Sequence, residues 1–193
     1  MTLINRLFIS SSVITVLLVG FLASSAGAET ATFQRSSEVA EQLADFKRTA
    51  WELRREADAL NSVTPSKRLS WQSHTYRLDA LKDHVNEMGK TLAALEAQKS
   101  AATEGQRMAI EYVRPHLVSV AQNVTQAIEL VNEDRKNVHW GEYAEAVSNI
   151  YDHADALHGK LDTILDYEDA RMDYENARMR FETLELPTSA GGG

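Results

Sequence analysis

The sequence predicts an all-α fold: an elongated antiparallel four-helix bundle of up-down-up-down topology with coiled-coil-like seams, on a chain that is exported. Three observations predict it. Apolar residues recur in steps of four and three over four separate segments, short connections rich in helix-stopping residues divide those segments, and a hydrophobic leader precedes them.

The leader comes first. Met1–Arg6 is short and carries one cation at Arg6, and an apolar run follows from Leu7 through Val13, Ile14, Val16, Leu17, Leu18 and Val19 to Leu22. It gives way to Ala23–Ala28, with Ala26 and Ala28 at the two positions that a signal peptidase requires to be small. Residues 1–28 are therefore expected to be a signal peptide cleaved after Ala28. The alternative is a retained anchor, since the run is only a little short of the roughly 20 residues that span a bilayer. No stop-transfer cluster of charges follows, and no later segment is apolar enough to cross. The expected location is the periplasm or the exterior, with no membrane contact after cleavage.

Residues 29–186 then make one domain, and residues 187–193, closing in three glycines, a flexible tail. The chain has no cysteine, so a disulfide, a thiolate metal site, c-type haem attachment and lipidation of a cysteine are all excluded. Packing alone has to hold it together. The formal charge is −8, and residues 29–193 carry −9 because Arg6 is the only charged residue ahead of them. Such an acidic surface argues against nucleic acid or anionic lipid as a partner.

The first helix is expected over about 37–60, with a seam of Val39, Leu43, Phe46, Ala50, Leu53, Ala57 and Leu60, a possible cap at Ser36 or Ser37, and a stop at Asn61–Ser66 around Pro65. The second, about 67–98, repeats the pattern with Trp71, His74, Leu78, Leu81, Val85, Met88, Leu92 and Leu95. The third, about 104–136, opens on a possible capping box from Thr103 to Gln106 and runs through Ile110, Val113, Leu117, Val120, Val124, Ala127 and Val131. Pro115 falls outside that seam, where it bends a helix without ending it.

The fourth helix, about 141–184, is the longest and runs through Tyr143, Val147, Ile150, Ala154, Leu157, Leu161 and Ile164. Its seam then takes two steps of three and continues as Tyr167, Ala170, Tyr174, Ala177, Phe181 and Leu184, a stammer expected to overwind the coil locally. This stretch also holds the one clear internal repeat, Asp166–Met172 (DYEDARM) followed by Asp173–Met179 (DYENARM).

Helices this closely connected pack antiparallel, and at 1.5 Å per residue they make a rod on the order of 40 to 60 Å long. Laid side by side, the first helix ends opposite about residue 166 of the fourth and the second opposite about residue 174. The last turns of the fourth then overhang, and Tyr167, Tyr174 and Phe181 form an apolar stripe that requires a cover. The candidates are residues 29–37 folding back, a second copy in a homo-oligomer, or a protein partner's helix.

Chemical motifs are sparse. The paired Glu-x-x-His spacings of di-iron bundles are missing, and Gly89, Gly105, Gly141 and Gly159 are isolated, so nothing resembles a nucleotide loop. His153 and His158 could ligate a bundle haem, but the first helix offers no Met opposite them. His84, His116 and His158 fall at nearly one height on the second, third and fourth helices, each one residue off its seam, so the three could converge on a Zn or Cu ion. His74, on the seam itself, reads as a hydrogen-bonded core residue, and Trp71 and Tyr76 as packing. Arg54, Arg55, Lys67 and Arg68 cluster near the first turn and could hold an anion, although their heptad positions mostly face solvent. Asn123–Thr125 matches a glycosylation sequon inside a helix. The expectation is a non-enzymatic scaffold, binding or chaperone-like module, with a metal-binding or metal-sensing bundle and a small-ligand sensor as the alternatives.

Overall fold

The computed structural model of the chain describes residues 25–67 and 69–184, and their side chains from Ser36 to Thr183. The expected signal sequence up to Ser24, the tail from Glu185 and Arg68 lie outside these residues. Four helices make up the described chain: α1 (Ser25–Val63), α2 (Trp71–Ala97), α3 (Glu104–Glu133) and α4 (Gly141–Leu184), with one 3₁₀ turn at Lys99–Ala101 and no strand. None of these helices is long and apolar enough to cross a membrane.

The helices form a closed ring in which α1 packs on α2 and α4, and α3 packs on the same two. Opposite directions are visible in the side-chain pairs: Lys47 reaches Asp162 and Asp166, while Arg54, two turns further along α1, reaches Asp155, earlier on α4. Every seam residue expected on α1 and α3 is buried, and so are Leu78, Leu81, Met88, Leu92 and Leu95 of α2 and Tyr143, Val147, Ile150, Ala154, Leu157 and Leu161 of α4. Each fully buried Leu contributes roughly 1.5–3 kcal/mol, which is how a chain without cross-links is held.

The helix ends follow local chemistry. Thr64 closes α1 by donating both its backbone N–H (3.0 Å) and its hydroxyl (2.7 Å) to the Leu60 carbonyl, just ahead of Pro65. Turn hydrogen bonds from the Ser66 N–H to the Val63 carbonyl and from the Leu69 N–H to the Ser66 carbonyl follow α1, and α2 starts at Trp71 rather than at 67. Thr103 and Gln106 form the reciprocal capping box of α3, with bonds of 3.2 and 2.9 Å. Pro115 sits exposed inside α3, which continues through it. The helix stops at Glu133, three residues early, because the Asp134 carboxylate accepts the Lys136 N–H (3.0 Å) and the Asn137 side-chain amide and folds the chain into a turn. Gly141 opens α4 with φ near +60°, a conformation natural to glycine. α1 begins at Ser25, twelve residues before the expected start.

The expected stammer in α4 is absent. Tyr167 is 62% exposed, whereas Glu168 is 3% exposed, so the buried line runs Leu157, Leu161, Ile164 with Leu165, and Glu168, in ordinary helical period. The four-three alternation simply continues, and the Tyr/Ala/Phe stripe is a separate line on the helix.

Candidate interaction surface on helix α4

The place where α4 leaves the bundle is fixed by a polar lock built at the α2–α3 connection. The Thr103 hydroxyl donates to Glu168 Oε1 (2.6 Å) while its oxygen accepts the Gln106 N–H, and Arg171 donates to the same carboxylate oxygen (3.2 Å). Gln106 in turn donates its side-chain amide to the Ser36 carbonyl on α1 (3.0 Å). The buried carboxylate thus lies beside the N-terminus of α3, where the helix dipole favours negative charge. Room for it exists because residue 105 is glycine: a Cβ there would overlap the Glu168 carboxylate.

Beyond this lock α4 runs on for about four more turns to Leu184. The α2–α3 end therefore lies opposite Glu168, six residues sooner than the expected 174. Tyr167, Tyr174 and Phe181, the residues expected to dock a partner, are 62%, 70% and 62% exposed, and Ala170 and Ala177 between them are exposed too. Met172 and Met179 are also exposed, but they sit on the other side of the helix. At about 100° per residue they continue the direction of Leu161 and Glu168, whereas the Tyr/Ala/Phe line points about 150° away from it. Each copy of the repeat thus supplies one Tyr and one Ala to the outward line and one Met to the line that prolongs the bundle face. Arg171 pairs with Glu168 and Glu175, and Arg178 with Glu182 at 2.8 Å. The extension is lined with exposed ion pairs along its flanks.

The three expected metal ligands do not meet. His84 on α2 turns toward α1, with Nδ1 4.0 Å from a Glu52 carboxylate oxygen. His158 lies one turn from Asp162, on the side of α4 that faces Lys47 of α1. His116 instead faces His153, with Nδ1 atoms 3.4 Å apart and the Tyr112 ring packed on its other side. The two flanks of a seam point at two different neighbours, and height along the rod does not distinguish them. Among the described residues no three His, Asp or Glu groups assemble a metal site. The His116–His153 contact is a hydrogen-bonded pair that supplies at most two ligands, and burial together with the facing imidazole pushes the His116 pKa down.

At the opposite end His74 is buried. Its Nδ1 bonds the Tyr143 hydroxyl (3.0 Å) and its ring stacks edge-on to His139, whose own Nδ1–H donates to the Thr64 carbonyl (3.1 Å). Burial lowers the His74 pKa, with His139 and Arg77 adding to the effect, and raises that of Tyr143. His74 Nε2 has no hydrogen-bond partner among the described residues.

Among the described basic residues near the first turn, Arg54, Arg55 and Lys67 do not converge either. Arg54 pairs with Asp155, Arg55 lies over Trp51 at 4.8 Å, and Lys67 lies over Trp140 at 4.3 Å. Trp71, half-buried, carries Arg135 on its face, and Tyr76 is exposed rather than packed. The depressions between helices are open grooves; one of about 740 Å³ runs between α2 and α3 past Val85, Leu92, Leu117 and Val118.

No family model, no curated protein and no solved structure matches this chain. The surface itself has to carry the functional reading. Sequence reasoning missed Glu168, Gly105 and His153 as partners. The Thr103–Gln106 box is a legible signal for the lock, but its third member lies 65 residues away from Thr103.

Proposed function

We propose that this protein is an exported, non-enzymatic helical module that works by presenting the Tyr167–Phe181 face of α4 to a protein. The observation behind the reading is an unbroken four-three line of exposed apolar residues on the side of α4 turned away from the direction in which the helix packs on its bundle up to Glu168. A helix inside a bundle needs only one such line. A second one, projecting past the bundle end and held in place by the Glu168 lock, is a surface suited to another helix. The acidic character of residues 29–193 and the expected signal sequence fit a module working among proteins outside the cytoplasm.

The test is a photo-reactive residue placed at Tyr174 in the intact chain, in its own cells. A discrete protein adduct should form at Tyr174 and not at Tyr76, which is 77% exposed at the far end of the rod. No adduct at Tyr174, or equal labelling at both positions, overturns the reading.

A further inference from the structure

The charges flanking the outward line bear on what covers it. With Tyr167, Tyr174 and Phe181 in the first position of a heptad and Ala170 and Ala177 in the fourth, the flank after the fourth position holds Arg171 and Arg178. The flank before the first holds Asp166, Asp173 and Arg180. When two such helices lie parallel and in register, a residue of the second flank faces the residue five places further along the partner. Asp166 then faces Arg171 and Asp173 faces Arg178. Twofold symmetry repeats both pairs. Every pair is of opposite sign. In an antiparallel arrangement like flanks meet: Arg171 is set against Arg178 on one side, and on the other only Arg180 finds an opposite charge in the Asp166/Asp173 flank, so the signs no longer all match.

Resting on the proposed function above, we infer that the protein docking on this face is a second copy of the same chain, paired parallel and in register through α4 from Tyr167 onward. The geometry leaves room for it. The line points about 150° away from the chain's own bundle, so two bundles stand on the outer sides of the joined helices without meeting. The helix is already formed and anchored at Glu168, which removes the cost that makes isolated short helices marginal. The present partners of the flanking charges do not compete strongly. Asp166 with Lys47 and Arg178 with Glu182 are exposed pairs of small net value, and the Arg171 guanidinium has enough N–H donors to keep Glu168 and take a second carboxylate. With alanine at every fourth position and little more than two heptads, the pair is weak and depends on concentration.

The chain has no cysteine, so single cysteines report without background. In the protein purified as its cells produce it, Ala170→Cys and Ala177→Cys should each form a self-linked dimer under mild oxidation. A mixture of the two should give no mixed disulfide, and Met179→Cys, on the far side of the helix, should stay monomeric. Sedimentation should show a concentration-dependent dimer. Asp173→Arg or Arg178→Asp alone should weaken that dimer about tenfold or more, and the double exchange should restore it. All these positions are exposed, so the helicity and melting of each variant should match those of the parent. A monomer at every concentration overturns the inference, as does a mixed Ala170→Cys/Ala177→Cys disulfide or a double exchange no better than the single ones. Those failures are distinct from failure of the module reading, which falls if Tyr174 gives no protein adduct or is labelled no more than Tyr76.

Discussion

Gly105 and Glu168 show how much one missing methyl group settles. Ordinarily glycine in the first turn of a helix is a small loss, because alanine is the better helix former by up to about 1 kcal/mol. Here the space that a Cβ would take is filled by one oxygen of the buried Glu168 carboxylate, Oε2, while the other, Oε1, accepts the Thr103 hydroxyl and ties α4 to the start of α3. Gly105→Ala should therefore lower stability by about 1–2 kcal/mol despite its helix propensity, which in a chain of this size is a fall of several degrees in Tm. Glu168→Ala removes the obstacle and the bond together. A double-mutant cycle read by thermal melting should accordingly show strong non-additivity between the two positions, and simple addition would mean that the lock does not exist.

At the scale of the element, α4 is two helices in one. Up to Glu168 it is a bundle helix with one side buried; past it, as far as Thr183, residues are exposed all round except for the half-buried Arg171. A chain ended after Met172 keeps the lock and the whole apolar core, and of α4 it loses only Asp173–Leu184. Its far-UV CD should fall in proportion to those lost turns while its Tm shifts by no more than a few degrees, since almost no buried apolar surface is removed. A collapse of Tm would show that the extension packs on its own bundle. The heptad lines of α1, α2, α3 and the first part of α4 are legible in the residue order itself, because burial on one face of a helix leaves a periodic mark there. The expected stammer fails for the same reason: past Leu161 two apolar lines coexist on α4, and periodicity cannot say which one turns inward. Glu168, being charged, leaves no mark in an apolar pattern, whereas the exposed Tyr167 does.

For the whole molecule, the histidines make stability a function of pH. Burial holds the folded-state pKa of both His74 and His116 below the unfolded value of about 6.5. Around His74 stand Tyr143, His139 and Arg77, and His153 faces His116, so among the described residues no anion is placed to stabilise either imidazolium. The unfolded chain therefore binds more protons between the two pKa values. The neutral histidines contribute their full stability above about pH 6.5, and it is lost as pH falls through that value toward the folded-state pKa, by at most about 1.4 kcal/mol per pH unit for each. Melting at pH 7.5 and 5.5 should show a lower Tm at the acidic value, and His74→Gln with His116→Gln should flatten the difference. An unchanged slope would mean that neither of these two histidines carries the acid sensitivity; a carboxylate such as Asp162 beside Lys47, already held below the usual carboxylate range, stays ionised at both values.

Period, caps and breakers are properties of neighbours in the chain. They determined the number of helices, their approximate ends apart from the start of α1, the buried residues of the seams as far as Leu161 and, through the short connections, the antiparallel order. What the sequence could not determine is which flank meets which neighbour. A rotation of one helix by a single residue, about 100°, leaves the periodicity of its seam untouched but exchanges the partners of everything beside it. That is why His116 meets His153 instead of His84 and His158, and why Glu168 rather than Tyr167 turns inward. It is also why only the packing of the four helices against one another decides which face of α4 is left without a partner.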